Sequence, residues 1–312
     1  MAWGPMETLL PLLLLLLALS SQAPLPFEGN QIEPTNVTEQ LPSFKITFAT
    51  DALNLTNRLP HAIIIGVRKG GTRALLEMLN IHPDVAVAKS EVHFFNLDDN
   101  YVRGLDWYCS QMPQTFPQQL TIEKTPGYFT SLKAPERIHR MNSSIRILLI
   151  VRDPAQRVIS DYTQILFNRK ERNKPYQSLE EILISNGQLN TKYKAIQRSL
   201  YDLHMAIWLK FFSLSQIHIV DGDMLISNPL LELKKVEKFL GLTEKIKQSN
   251  FYFNQTKGFY CLQSEGHEKC LDSSKGRPHP SINQTVLEQL CTYFKEHNKK
   301  FFAMTRRTFN WC

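Results

Sequence analysis

The residues best placed to do chemistry are Lys69-Gly70-Gly71-Thr72-Arg73, which follow the apolar run Ala62-Ile63-Ile64-Ile65-Gly66 and precede Ala74-Leu75-Leu76-Glu77-Met78-Leu79. The apolar run predicts a parallel strand covered on both faces, and the later residues carry helical spacing, with Thr72 placed to cap the helix. Between them, paired glycines let the backbone bend tightly and turn successive N–H groups toward one point. An anion at that point also meets the positive end of the helix dipole, and Lys69 and Arg73 add full charges. The chemistry implied is the binding of a phosphate or sulfate group. Gly66 and Gly71 have Walker A spacing, but Thr72-Arg73 stand where that motif has Lys-Ser/Thr, so its usual magnesium ligand is missing. A nucleotide kinase is therefore a poor fit.

A second strand end repeats the logic. Ile145-Arg146-Ile147-Leu148-Leu149-Ile150-Val151 runs into Arg152-Asp153-Pro154, which puts Arg152 at the end of a strand and Pro154 at a first helical position, with Ser160 further along that helix. Further on, Lys275-Gly276-Arg277-Pro278-His279-Pro280 forms a basic loop made permissive by Gly276, read equally well as a flap over an anion or a solvated loop. Two basic strand ends on one sheet edge suit a ligand with two separated anionic groups.

These segments need a scaffold, and the pattern supplies one. Strands are expected over Ala62–Ile65, Val85–Ala88, Leu120–Glu123, Ile145–Val151 and Ile217–Asp221. Helices are expected over Thr72–Asn80, Pro135–Met141, Pro154–Arg169, Leu179–Ser185, Tyr193–Phe212, Leu230–Leu240 and Ser281–Thr305. Such alternation predicts an α/β fold with a central parallel sheet flanked by helices, whose ligands bind beyond the carboxyl ends of the strands. The 312 residues, 43% hydrophobic and 21% charged, suit one such domain over 60–312.

A net charge of +7 favours an anionic partner: nucleic acid, membrane surface or polyanionic glycan. The amino-terminal segment narrows these. Leu9 to Leu19 is almost continuous leucine followed by small residues, so 1–23 reads as a signal peptide or short signal anchor and 24–59 as a luminal stem. Sequons at Asn36, Asn54, Asn142, Asn254 and Asn283 point the same way, to the secretory lumen, which disfavours nucleic acid and leaves membrane contact only through an anchor. The five cysteines include one candidate disulfide, Cys261 with Cys270 across a loop-like stretch, and an odd count leaves at least one thiol free or intermolecular. No zinc-ligand spacing is present, and no metal is expected.

Taken together, Lys69-Gly70-Gly71-Thr72-Arg73, Glu91-Val92-His93-Phe94-Phe95, Glu123-Lys124-Thr125-Pro126, Arg152-Asp153-Pro154 with Ser160-Asp161-Tyr162, and Lys275-Gly276-Arg277 resemble the heparan sulfate glucosamine 3-O-sulfotransferases, most nearly the isoform-1 type. The resemblance runs from about His61 to the carboxyl terminus. It implies 3′-phosphoadenosine 5′-phosphosulfate as sulfuryl donor, released as adenosine 3′,5′-bisphosphate, no metal, heparan sulfate as acceptor, and residence in the Golgi lumen with part of the protein secreted. It also implies that residues 69–73 hold the 5′-phosphosulfate, Arg152 and Ser160 the 3′-phosphate, and Tyr260 with Lys275, Gly276, Arg277, Pro278 and His279 close on the donor. Arg68, Arg73, Asn96, Lys124, Thr125, Pro126, Gln164, Tyr193, Lys194 and Arg277 would hold the acceptor, together with Glu91 and His93.

A sugar hydroxyl is a weak nucleophile and needs a base within hydrogen-bond reach; Glu91 is the candidate, with His93 and Lys124 tuning it and Lys69 neutralising the leaving phosphate. One departure is visible: Asn96 stands where the family commonly has Asp. Two rival readings share the basic groove. A non-catalytic glycan-binding protein should lack the base or the loop lysine, and both are present; a sulfotransferase acting at another position would share the donor loop.

Overall fold

The five-residue run Ala62–Gly66 is fully buried because the two sides of the strand face different cores. Ile63 and Ile65 join a cluster with Phe94, Phe95, Tyr108, Phe129 and Trp208, whereas Ala62 and Ile64 join another with Leu75, Leu79, Val220 and Leu233. Alternation with period two thus turns a continuous apolar run into a strand at the centre of three layers. In the computed structural model, described for residues 54–312 apart from 265, 273 and 274, this strand is β1 of a five-stranded sheet. Its companions are β2 (Val85–Val87), β3 (Leu120–Lys124), β4 (Arg146–Val151) and β5 (Ile217–Asp221), in the order β2-β3-β1-β4-β5, all parallel. Register places Ala62 beside Ile122 on one side and Arg146 on the other. The carboxyl ends of β1, β3 and β4 therefore emerge together at one edge.

Helix α1 (Thr72–Leu79) follows β1, and α2 (Pro154–Glu171) follows β4. Pro154 opens α2 as the sequence predicts, and the Asp153 side chain caps it by accepting from the Gln156 N–H at 3.0 Å. The closing helix α3 (Gln284–Thr305) starts later than its expected Ser281 because Asn283 supplies the cap, accepting from the Thr285 N–H at 2.9 Å. It packs on α2 and on the helix Tyr201–Trp208.

Three expectations fail for identifiable reasons. Thr72 does not cap α1: Gly71, at φ 107°, occupies the cap position, and Thr72 is the first helical residue. The predicted helix Tyr193–Phe212 is two helices, Lys194–Arg198 and Tyr201–Trp208, because the Ser199 hydroxyl donates to Ala195 O and accepts from Arg157 Nε at 2.6 Å. The predicted helix Leu179–Ser185 stops at Leu183, since Ile184–Ser185 enters a hairpin turned by Asn186-Gly187, both at positive φ. The folded unit also reaches into the sequence read as stem, where Thr56–Asn57 pairs with Gln114–Thr115. The proposed leader and Asn36 lie outside the described residues.

Cys261–Cys270 is a disulfide, as expected; a second joins Cys291 to Cys312, which spacing had left without a role, and Cys109 remains free. The second bridge ties the chain end beside the donor-side strand edge, where the Cys312 N–H donates to Asp153 Oδ2 at 3.0 Å. Trp311 stacks on Phe309 there, with ring centroids 4.5 Å apart. Replacing Cys291 and Cys312 by serine is expected to lower unfolding stability by about 2–4 kcal/mol. Urea denaturation of the variant beside the parent checks this, and unchanged stability would show that the aromatic packing alone holds the tail.

Candidate active site

The turn after β1 is held against the end of β4. The Val67 N–H donates to Ile150 O at 2.7 Å, and the Gly70 N–H to Val67 O at 2.9 Å. A Cβ on Gly70 would stand 2.9 Å from Ile150 O, so no other residue lets the loop lie this close. Lys69 adopts φ 70°, and α1 begins directly beyond it with its first-turn N–H groups facing outward. The local backbone is thus a concave anion seat.

It opens into a cleft of about 1180 Å³ at the carboxyl edge of the sheet. Burial, then the charges of Lys275 and Arg68, with Arg277 adding to them, bring the Lys69 pKa down to about 8, opposed by Asp161. Burial and Lys124 likewise lower Lys275, with Arg277 and Arg73 adding to this against Glu91, while burial, Arg152 and Lys69 lower His279. Positive charge is crowded here among half-buried groups. The basic segment 275–279 lies over the cleft on two aromatic rings. Gly276, at φ 64°, is so near Phe259 that a Cβ would fall 2.4 Å from its ring. The Arg277 guanidinium stacks 3.7 Å above the Phe167 ring centroid and donates to Gln164 Oε1 at 3.0 Å.

On the facing wall stands Glu91. One oxygen accepts from Lys124 Nζ, and the other lies 3.5 Å from His93 Nε2. The hydrogen bond from His93, helped by Lys124 and opposed by burial, holds the carboxyl at about 2. His93 is raised in turn, chiefly by Glu91, and its Nδ1–H donates to Asn96 Oδ1 at 3.3 Å. Asn96 thus keeps the hydrogen bond an Asp would make and omits its charge. A carboxylate aimed into a cationic cleft, ionised across the physiological range, can take a proton from a bound hydroxyl.

Of the residues singled out by sequence, the cleft is lined by Arg68 through Arg73, Glu91, His93, Asn96, Lys124, Pro126, Arg152, Ser160, Gln164, Tyr260, Lys275, Gly276, Arg277 and His279. Four fall elsewhere. Thr125 is fully buried behind the wall, its hydroxyl directed at Glu123. Pro278 is exposed within the overlying segment and does not line the cleft. Tyr193 caps the helix Lys194–Arg198 with its hydroxyl turned inward, and Lys194 is exposed at that helix's first position.

Sequence reasoning missed Lys89, Arg157, Arg198 and Lys257, which also line the cleft. Arg157 was legible in part, lying four residues before Asp161 on one helix. Asp161 itself is fully buried and meets Arg68 at 2.9 Å, Arg157 at 3.1 Å and Arg198 at 3.3 Å. Among the described residues, no cluster of His, Cys, Asp and Glu could hold a metal ion, and no helix is long and apolar enough to cross a membrane.

This geometry has named relatives. Residues 59–302 match the sulfotransferase domain. Over 261 residues the chain is 53% identical to mouse (Mus musculus) heparan sulfate glucosamine 3-O-sulfotransferase 5, covering 83% of this chain and 75% of that protein. It is 45% identical over 289 residues to the mouse 3-O-sulfotransferase 3B1, covering 91% of this chain and 72% of the relative. The crystal structure of a sulfotransferase from Alicyclobacillus acidocaldarius superposes with a TM-score of 0.61 at 17% identity, over 81% of this chain and 98% of that one, which shows the shared fold. These relatives show the family and not which type within it.

Asp161→Asn would leave the buried Arg157 without its counter-charge, and we expect it to cost about 3–5 kcal/mol of stability. Burial raises the Asp161 pKa, but Arg157 and Arg68 outweigh it and the net shift is downward. Its contribution is therefore present above the ordinary carboxylate range and is lost as pH falls through the folded value. Denaturant melts of parent and variant at neutral and acidic pH test this; equal stability at neutral pH would show the arginines to be satisfied by solvent.

Proposed function

This chain belongs to the heparan sulfate glucosamine 3-O-sulfotransferases and transfers a sulfuryl group to the 3-hydroxyl of glucosamine units in heparan sulfate; from that premise we propose how its cleft does so. The observation that carries the reading is a cleft with a half-buried lysine among other cations in an anion seat on one wall and an ionised carboxylate on the other. The donor is 3′-phosphoadenosine 5′-phosphosulfate. Its fit rests on the Gly70 seat, on the burial and neighbouring cations that lower Lys69, and on Arg152 at the neighbouring strand end with Ser160 on the helix beyond it. When bound, it supplies the sulfuryl group and a phosphate leaving oxygen.

Lys69 to Arg73 hold the 5′ end, and Arg152 with Ser160 holds the 3′-phosphate. Arg152 is already oriented by Asp223, at 2.9 Å. Glu91 takes the proton of the acceptor hydroxyl as its oxygen bonds to sulfur, and Lys69 neutralises the charge that appears on the departing phosphate oxygen. In the unliganded cleft Lys124 and His93 make Glu91 a weak base. Acceptor sulfates and carboxylates that draw on Lys124 loosen that hold and raise its basicity. Arg68, Arg73, Gln164 and Arg277 bind the polyanionic chain along the cleft, and a smaller cavity of about 400 Å³ beside Glu91 and Trp107 gives the chain room to continue. The protein works in the Golgi lumen. Two disulfides suit that oxidising compartment, and the sequon residues Asn54, Asn142 and Asn283 are exposed.

Glu91→Gln is expected to abolish transfer from labelled donor to heparan sulfate while adenosine 3′,5′-bisphosphate still binds. Product disaccharides labelled at glucosamine O3 by the parent establish the position, and normal turnover in the variant would remove Glu91 as base. Lys69 must be protonated to meet an anion, so affinity for adenosine 3′,5′-bisphosphate is expected to fall as pH rises through about 8. Lys69→Arg, which stays charged, should flatten that dependence. Calorimetry across this pH range reads both, and a parent profile already flat would show that Lys69 does not contact the phosphates.

A further inference from the structure

The segment that carries Glu91 and His93 presents its next backbone N–H groups to the protein interior. The Val92 N–H meets the Glu123 carboxylate, and the His93 N–H lies 3.4 Å from Thr125 Oγ1. The Phe94 N–H donates to the Tyr128 hydroxyl at 3.1 Å, and the Phe95 N–H faces that same hydroxyl. His93 is in the left-handed region, at φ 53°, and such a turn directs successive N–H groups to one side around an anion. Of these amides Glu123 meets Val92 directly and reaches His93 through Thr125. It is wholly buried and accepts the Thr125 hydroxyl at 2.5 Å and the Tyr108 hydroxyl at 3.4 Å.

Glu123 and Lys124 are neighbours on β3, so their side chains leave opposite faces of the sheet. Lys124 reaches into the cleft and holds Glu91 from the front. We propose that Glu123 is a positioning residue for sulfuryl transfer, anchoring from behind the backbone of the segment that presents Glu91 and His93 to the acceptor hydroxyl. The proposal rests on the reading of Glu91 as base.

Complete burial raises the Glu123 pKa from 4.5 to about 7, an effect that Thr125, Val92, Lys124 and Tyr108 only partly offset. A raised acid favours the fold when protonated, so its contribution is full below 4.5 and declines as pH rises through about 7. Burial disfavours the ionised form, while the acceptor oxygens hold the Val92 amide and, through Thr125, the His93 amide.

The test compares Glu123→Gln and Thr125→Val with the parent, in the full chain. Glu123→Gln removes the charge and one acceptor oxygen, and Thr125→Val removes the hydroxyl that bridges Glu123 to the His93 amide. Expected is a fall in kcat of about tenfold or more, with affinity for adenosine 3′,5′-bisphosphate and KM for heparan sulfate within about twofold, and a melting temperature for Glu123→Gln no lower than the parent's. Amide hydrogen exchange over 91–95 should quicken while the central strands keep their protection. Turnover within about twofold in both variants would overturn the proposal, as would equal losses of donor-product binding and activity. Where Glu123→Gln fails to fold, Thr125→Val decides; failure of both would make the network scaffold alone and also overturn it. Glu91→Gln is assayed beside them, so a failed base assignment shows as turnover retained there, whatever the other two do.

Discussion

Three arginines from three parts of the chain converge on one buried carboxylate, and the active site depends on that convergence. Asp161 on α2 accepts from Arg68 of the anion loop, from Arg157 one turn earlier, and from Arg198 of the helix that follows Tyr193. Arg157 goes further: its guanidinium also donates to Arg68 O at 3.3 Å, to Ala195 O and to the Ser199 hydroxyl. Buried charge is costly unless each proton and lone pair is met. Meeting them here joins the loop after β1, the helix after β4 and the break at Ser199 into one rigid unit. The helix interruption that looked like a lapse in local propensity is therefore a requirement of the charge network.

Around that fixed point the cleft divides its acidic groups. Asp161 neutralises the floor, Asp223 orients Arg152, and Glu91 meets Lys124. Lys69 stands among Lys275, Arg68 and Arg277, and its burial together with those charges lowers its pKa against the pull of Asp161. The protein carries those charges before any ligand arrives, so an incoming polyanion need not reorganise the site to be attracted. The same crowding suits a loop without the Walker lysine-hydroxyl pair to an anion: backbone amides and several cations supply what one ion often supplies elsewhere.

Elements that rest on period and punctuation were legible in the sequence. The buried runs of β1, β4 and β5, the Pro154 start and the Cys261–Cys270 pair follow from local chemistry or from family likeness. What escaped depends on contacts distant in sequence. Gly71 displaced Thr72 from the cap because the loop must pass beneath Ile150 O. Cys291 and Cys312 meet only after the tail folds back through Phe309 and Trp311. Thr125 reads as a surface residue inside a catalytic motif until the alternation of β3 is followed past its end. Arg198 belongs to none of the motifs and joins the cleft wall where it meets Asp161.

That alternation also explains how a short motif can carry two opposed tasks. A strand end entering a cleft offers one side chain to solvent and the next to the core, with their Cα atoms a single residue apart. Lys124 takes the outward position and answers the charge of Glu91; Glu123 takes the inward one and answers the backbone that carries Glu91. Glu91 is thus gripped by its carboxylate from the front and by the following Val92 amide from the rear, both from the same strand. A shift of β3 by one residue would exchange the two faces, leaving a lysine in the core and a second carboxylate beside Glu91. The apolar neighbours Ile122 and Ile64 forbid that shift, so the packing of the sheet sets the charge order of the active site.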